Sequence, residues 1–354
     1  MDKKVDIQDL SVEELANYFS SLGEKPYRTK QILSWIYHRN IPGFEEMTDI
    51  SLDLREKLRG KFTIKRLELL QKKISKLDRT QKFLFQVTDG NLVETVLISN
   101  LNRLTACLST QVGCKFRCGF CASGKKGFIR NLEPSEIINQ LQFLIHDIYP
   151  QKISNVVFMG MGEPLDNYTN LLKAIRITNC PFAFNIGARK ITVSTCGLPE
   201  GIRKLAKENI QVELSVSLHA PTDELRSRLM PVNKIHPLKE LIPVCQEYST
   251  TTNRLVTFEY LLIKDINDRP ADIKELLKLL KDFKCKINLI IYNPFEGIKF
   301  CPSPIEKAIL FQKSLKTRGI VTTLRQSKGA DIEAACGQLY LRKLSEDISY
   351  GAIY

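Results

Sequence analysis

An α/β fold built on parallel strands, preceded by a small helical domain, is what this sequence predicts. Three observations carry the prediction. Strand-like and helix-like segments alternate from residue 101 to residue 325, the first stretch of chain places apolar residues at helical spacing, and two β-rich runs flank an Asp-Gly pair between these regions.

The elements follow in chain order. Over residues 1–75, Val12, Leu15, Tyr18 and Phe19 recur at helical spacing after Ser11; Ile32, Leu33, Trp35 and Ile36 mark a second segment, and Leu52, Leu54 and Leu58 a third. This stretch reads as a helical accessory domain without chemistry of its own, and Trp35, the single tryptophan, reads as core. Residues 76–100 read as a β-hairpin connection that turns at Asp89-Gly90, a pair suited to the positive φ of a tight hairpin. Glu94 falls in its second run, where a solvent-facing strand residue is the plain expectation.

Residues 101–325 form the core. Its candidate strands are 104–110, 154–159, 190–195, 212–218, 256–262, 286–292 and 320–325. Helical patterns fall between most of them, such as the one that opens at Pro134 and shows Ile137, Ile138, Leu141, Leu144, Ile145 and Ile148 on one face. Residues 326–354 remain as a C-terminal segment. Active sites in parallel α/β folds gather at the C-terminal ends of the strands. There the chain runs into Cys114, the turn Gly160-Met161-Gly162-Glu163-Pro164, Ser194, His219 and Asn293.

Composition sets outer bounds. The chain has 354 residues, 43% hydrophobic and 26% charged, which suffices for a large core and excludes a disordered or low-complexity protein. The N-terminal residues contain no apolar leader, and no apolar run reaches the roughly 18 residues of a membrane span. A cytoplasmic protein without a membrane partner, monomeric by default, is expected. Lys and Arg outnumber Asp and Glu by 52 to 39, a net charge of +13, which points to a polyanionic partner and first to nucleic acid. Ten cysteines without an export signal should be reduced, which favours metal binding or catalysis over disulfides.

Three of them carry the strongest signal. Cys114-Lys-Phe-Arg-Cys118-Gly-Phe-Cys121 places three thiolates within one loop, with Gly113 and Gly119 to let it wrap and Phe116 and Phe120 to exclude water. A structural zinc site with Cys107 as fourth ligand is one reading, and three separate buried thiols another. An iron–sulfur cubane on three cysteines is the third, and it leaves one iron open to a small molecule.

This loop after a first strand, with a Gly-rich turn after the second, resembles the radical S-adenosylmethionine (SAM) superfamily. The segments CLSTQVGCKFRCGFCASGKKGFIRNL (107–132), FMGMGEPLDN (158–167), SLHAP (217–221), LMPVN (229–233) and GADIEAACGQL (329–339) narrow the resemblance to the RlmN family of RNA adenine methyltransferases, with the Cfr family as its close relative. The resemblance spans nearly the whole chain. It implies a radical SAM partial (β/α)6 TIM-like barrel with a small helical N-terminal domain. It also implies a 4Fe–4S cluster on Cys114, Cys118 and Cys121, whose open iron binds SAM and cleaves it to a 5′-deoxyadenosyl radical. Carbon 2 of adenine is too electron-poor for polar methyl transfer, which is why such chemistry needs a radical.

By resemblance, Cys336 is the cysteine that carries the methyl group as S-methylcysteine. Cys107 is the cysteine that later forms a transient disulfide with it, and Glu94 is the base that removes the ring proton. Gly162, Glu163, Ser194, Ser217, Leu218, His219 and Asn293 match the family's SAM contacts. The implied substrates are an adenosine of 23S rRNA in the peptidyl transferase centre and adenosines in some tRNAs, and a separate electron donor is implied for the cluster. Position 8 instead of position 2, as in the Cfr relatives, is the alternative regiochemistry. A non-catalytic metal-containing RNA-binding protein is the alternative class. Cys196 departs from the family pattern, and Cys180, Cys245, Cys285 and Cys301 read as structural. Between Glu94 and Glu133 there is no acidic residue, so Arg103, Lys115, Arg117, Lys125, Lys126 and Arg130 are expected to form a basic mouth for RNA phosphates.

Overall fold

The computed structural model describes residues 4–100, 103–125 and 127–339; Lys126 and the C-terminal segment from residue 340 onward lie outside the described residues. The N-terminal domain opens with β1 (Val5–Asp6), followed by α1 (Val12–Ser21), α2 (Tyr27–Tyr37), α3 (Leu52–Lys61) and β2 (Phe62–Thr63), which pairs parallel with β1. Ser11 starts α1 with a reciprocal cap: its Oγ accepts from Glu14 N at 3.1 Å, and the Glu14 carboxylate accepts from Ser11 N at 2.6 Å. Leu15, Phe19, Ile32, Leu33, Ile36, Leu54 and Leu58 share one core, and Trp35 is buried with its Nε1 donating to Asp49 at 2.6 Å.

The next strands are β3 (Glu68–Ile74), β4 (Gln81–Gln86), β5 (Leu92–Asn100) and β6 (Arg103–Cys107). The helical reading of the chain up to residue 75 therefore fails at β3. That run is a half-exposed edge strand, and its antiparallel ladder to β4, from Glu68↔Gln86 to Ile74↔Gln81, overrides local propensity. A small antiparallel pair, β7 (Gln111–Gly113) and β8 (Phe128–Asn131), then brackets the cysteine loop.

Six β/α units and a closing strand follow from β6. They comprise α4 (Pro134–Asp147), β9 (Ile153–Phe158), α5 (Tyr168–Asn179), β10 (Ile191–Thr195), α6 (Pro199–Ala206), β11 (Glu213–Ser217), α7 (Asp223–Leu229), α8 (Leu238–Thr252), β12 (Thr257–Leu262), α9 (Pro270–Leu279), β13 (Lys286–Ile291), α10 (Ile305–Lys316) and β14 (Val321–Arg325). The seven expected core strands are all present. They form one ten-stranded sheet in the order β14-β13-β12-β11-β10-β9-β6-β5-β4-β3, parallel from β14 to β6 and antiparallel from β6 to β3. The meander β3–β5 is thus an extension of the barrel sheet and not a free connection. The sheet does not close: β14 and β3 are its edges. Among the described residues no helix is long and apolar enough to cross a membrane.

Arg66 clasps the helical domain to the core. Its Nη1 donates to Gln8, Asn139 and Gln142 side-chain oxygens at 3.1, 2.9 and 3.2 Å, and its Nη2 donates to the Ile41 carbonyl at 3.0 Å. Gln8 also donates to Gln142 at 3.1 Å, so one guanidinium organises amides from both domains. Arg66→Met should lower stability by about 3 kcal/mol, because several buried acceptors lose a charged donor together. Urea unfolding of the purified variant checks this, and an unchanged midpoint would show the clasp to be dispensable.

Candidate active site

A cavity of about 160 Å³ opens at the C-terminal ends of the parallel strands. One wall is the cysteine loop. Gly113 starts it at φ +76, where a Cβ would run into the Gly127 carbonyl, and Cys114 N donates to that carbonyl at 3.0 Å. Farther along, Gly119 N donates to the Leu229 carbonyl at 2.8 Å, Ala122 N to the Gly337 carbonyl at 2.8 Å, and Ser123 Oγ to the Leu339 carbonyl at 2.8 Å. The loop is therefore pinned at both ends and again to the C-terminal segment.

Cys114, Cys118 and Cys121 are half-buried and line this cavity together. Burial pushes the Cys114 thiol up to about 12, and it pushes Cys118 and Cys121 up as well; around Cys118 the other two thiols add to the effect. Ligation needs thiolates, so the bound group must drive the protons off. Among the described residues no three ligating side chains converge as tightly as a single metal ion requires. Cys107, the fourth ligand of the zinc reading, sits on β6 among Leu84, Val96, Met161, Ala334 and Leu339.

The wall expected to face SAM is built from strand ends. Gly162 has φ +99, and a Cβ there would lie 2.5 Å from the Gln111 Cβ, so the turn after β9 needs glycine. Glu163 is buried. Its two carboxylate oxygens accept from Leu165 N at 3.0 Å and Cys196 N at 2.6 Å, which locks that turn to the end of β10. Burial raises its pKa, and these donors work against the rise. Ser194, Ser217 and His219 line the cavity. Leu218 does not: its side chain is in the core, its N donates to the Glu259 carbonyl, and its carbonyl accepts from Arg226. Arg226 is fully buried and also donates to the Cys196 and Ser217 carbonyls at 2.7 and 3.0 Å, so one guanidinium sets the ends of β10 and β11.

His219 adopts φ +56 and accepts from Leu261 N at its Nδ1, 3.0 Å away. Burial pushes its pKa down to about 3, so the ring is neutral and carries its proton on Nε2. Asn293 is buried at the end of β13, and its Nδ2 has no hydrogen-bond partner among the described residues. Asn293 is not among the residues lining the cavity, but three thiols and two serine hydroxyls on its walls fit a three-thiolate cluster with a polar small molecule beside it.

The remaining residues come from the edges of the sheet. Beyond β14 the chain returns across the open side of the barrel, held by Gly329 N to Asp78 at 2.8 Å and Gln338 Nε2 to the Pro294 carbonyl at 2.8 Å. This return places Cys336, exposed, on the cavity wall. Cys107 is buried; burial pushes its thiol up to about 12, nearby Cys336 pushes it the same way, and Arg325 opposes both. Arg325 lines the cavity, and Cys336, with Glu259 and Cys107 behind it, raises its pKa. Glu94 is only 5% exposed and pairs with Lys82 at 3.0 Å, so the solvent-facing expectation for this residue is wrong. The meander folds its inner face under the C-terminal return, which a lone hairpin pattern could not reveal.

Sequence reasoning missed Arg325, Lys82, Glu259 and Arg226. Two of them carried a legible sign: Arg325 ends the last core strand, and Lys82 stands directly before the apolar run Phe83-Leu84-Phe85. The basic mouth is smaller than expected. Arg130 is held by Asp89 and Glu136 at 2.5 and 2.6 Å, Lys115 pairs with Asp166 at 2.5 Å, and Lys125 donates to the Gly297 carbonyl at 2.8 Å. Arg117 is exposed without an ion pair among the described residues. Of the four cysteines read as structural, Cys180, Cys245 and Cys285 are buried, whereas Cys301 is exposed.

Comparison with known proteins agrees with this geometry. Residues 5–64 match the ribosomal RNA large subunit methyltransferase N-terminal domain, and residues 108–280 match the radical SAM superfamily. A relative from Thermoanaerobacter sp. (strain X514), named a probable dual-specificity RNA methyltransferase RlmN, is 45% identical over 340 residues, covering 96% of this chain and 99% of its own. A Thermotoga maritima protein of the same name is 45% identical over 95% of this chain and 97% of its own. The crystal structure of a radical SAM methyltransferase from Sphaerobacter thermophilus superimposes with a TM-score of 0.88 at 40% identity, covering 95% of this chain and 99% of that one.

The neutral state of His219 makes stability depend on pH. Its folded pKa lies near 3 and its unfolded value near 6.5, so its contribution is complete above about 6.5 and is lost as pH falls toward 3. Between pH 7 and pH 5 this costs about 2 kcal/mol. His219→Asn tolerates the left-handed backbone and can accept from Leu261 N, so it should lose about that much less over the same interval. Denaturant titrations at the two pH values measure the difference; equal losses in both proteins would mean that His219 is not buried neutral.

Proposed function

The chain belongs to the RlmN family of radical SAM RNA methyltransferases, and from that premise we propose that it methylates carbon 2 of an adenosine in the peptidyl transferase centre of 23S rRNA, and of adenosines in some tRNAs, through a methyl group carried on Cys336. The observation that carries this reading is the meeting of Cys336, Cys107 and Arg325 beside the Cys114–Cys121 loop, although the chain places them up to 229 positions apart. A radical SAM protein acting on RNA without a protein-bound methyl group would have no use for the two thiols outside the loop.

Cys114, Cys118 and Cys121 would hold a 4Fe–4S cluster, and the Gly162–Glu163 turn with Ser194, Ser217, His219, Asn293 and the Leu218 segment would hold SAM. When bound, this pair supplies both the methyl group and the radical that activates it. Cys336 accepts the methyl group through its sulfur, with the Arg325 guanidinium nearby on the same cavity wall. Once the methyl carbon has joined the adenine ring, the radical adduct gives up its unpaired electron to a one-electron acceptor, a role the bound cluster would fill, and Glu94 takes the proton from carbon 2, which leaves a closed-shell adduct. Cys107 then attacks the Cys336 sulfur. A sulfur–sulfur bond forms, the sulfur–carbon bond breaks, and its electron pair stays with the departing carbon, which takes up a proton to complete the methyl group. A thiol reductant resets the disulfide. The adenosine must leave its stack to enter a cavity this deep, which favours loops and single strands. In this reading the enzyme acts in the cytoplasm as a monomer and draws electrons from a separate donor protein.

Anaerobic reconstitution with SAM, a reductant and protein-free rRNA, followed by mass spectrometry of the nucleosides, tests the proposal. 2-Methyladenosine is expected, and 8-methyladenosine would overturn the regiochemistry. Cys336→Ala should abolish methylation of both protein and RNA, whereas Cys107→Ala should stop at a covalent protein–RNA adduct. Normal turnover by Cys107→Ala would remove the disulfide step.

A further inference from the structure

Lys82 is a buried charged residue beside the apolar cluster of Leu84, Val96 and Cys107. It lies on β4, diagonal to Glu94 on β5, and its side chain shares a face with Leu84, Val96 and Cys107. It is 7% exposed. Its Nζ lies 3.0 Å from Glu94 Oε1 and donates to the Glu333 carbonyl at 3.1 Å, three residues before Cys336. The main chain of Glu94 is fixed as well: Ser109 Oγ donates to its carbonyl at 2.6 Å, and its N lies 3.4 Å from Met161 Sδ.

A buried ion pair in such a setting gains little stability over apolar side chains of the same volume, because both charges lose their hydration. Its chemical effect is larger. A carboxyl group buried alone takes up a proton and can no longer act as a base, whereas an ammonium at hydrogen-bond distance keeps it ionised and fixes its direction. The contact to Glu333 refers that ammonium to the segment that carries Cys336.

We propose that Lys82 is the positioning residue for Glu94: it supplies a counter-charge at hydrogen-bond distance that aims the carboxylate, and through Glu333 it sets that carboxylate relative to Cys336. This inference rests on the proposed role of Glu94 as the base. Lys82 does not touch the reacting atoms. Its contribution falls on the late part of the reaction, when the ring proton leaves, and not on the transfer of a methyl group to Cys336.

The test uses the anaerobically reconstituted full chain with two readouts. Intact-protein mass spectrometry without RNA follows methylation of Cys336; nucleoside analysis and a denaturing gel follow product and protein–RNA adduct. In Lys82→Met, product formation should fall on the order of tenfold or more, adduct should accumulate, and Cys336 methylation should be spared this loss. Lys82→Arg, which keeps the charge, should recover part of the product rate. The double variant Lys82→Met with Glu94→Gln removes both charges of the pair, and it should lose no more than Glu94→Gln alone. Product formation by Lys82→Met at the parent rate would overturn the proposal. So would an equal fall in both readouts, or a double variant markedly worse than Glu94→Gln. Undiminished product from Glu94→Gln would instead remove the base assignment itself, and is thereby distinguished from a failure of Lys82.

Discussion

Two hydrogen bonds, from Ala122 N to the Gly337 carbonyl and from Ser123 Oγ to the Leu339 carbonyl, join the cysteine loop to a segment more than two hundred residues later in the chain. The site depends on this junction because the barrel itself stays open. With β14 and β3 as the edges of the sheet, nothing in the strand ladder brings the C-terminal segment near β6. The junction does so, helped by Asp78, Lys82 and Pro294, which each take up one polar group of the return. Cys336 thereby faces both the loop thiols and Cys107, and the open side of the barrel becomes the entrance to the chemistry.

The interior around this entrance is unusually charged for a barrel, and each charge has a stated neighbour. Arg226 is spent entirely on carbonyls and Asn233, which sets strand ends. Arg325 lies among Glu259, Cys107 and Cys336, and it opposes the upward push that burial gives the Cys107 thiol. Glu259 itself accepts from Ser215 at 3.2 Å and from Asn288 at 3.1 Å, so this carboxylate is held in place near the cation without pairing directly with it. His219, by contrast, is kept neutral by burial. Burial thus keeps the His219 ring uncharged, whereas Cys336 and Glu259 near Arg325 favour its charged form.

Much of this was legible in the sequence where the pattern is local. The core strands announce themselves by apolar runs, and their C-terminal ends carry Cys114, Gly162, Ser194, Ser217, His219 and Asn293 in the order the sheet requires. What stayed hidden depends on pairing across the sheet. Nothing local in Glu68–Ile74 marks it as a strand, since its ladder to β4 decides the matter. The burial of Glu94 arises from the C-terminal return over the meander, and the neutralisation of Arg130 from Asp89 and Glu136, which lie on different elements. Charge counted along the chain overstated the free cations at the mouth for that reason. The roles of Cys107, Cys336 and Glu94 came from family resemblance; spacing alone would have left all three as ordinary core or strand residues.

The continuity of the meander with the barrel has a further consequence. Because β5 is laddered to β6 from Val96↔Cys107 to Asn100↔Arg103, Glu94 and Cys107 ride on one rigid sheet with the cysteine loop beside them. Bringing them closer to a substrate by hinge motion would mean breaking that ladder. If Glu94 and Cys107 act as proposed, the protein is the fixed part and the RNA supplies the movement. Under that proposed division of labour, selectivity would reside in how readily a given adenosine can be swung out of its surroundings, and two RNAs of unrelated sequence would serve equally well if they were equally easy to deform.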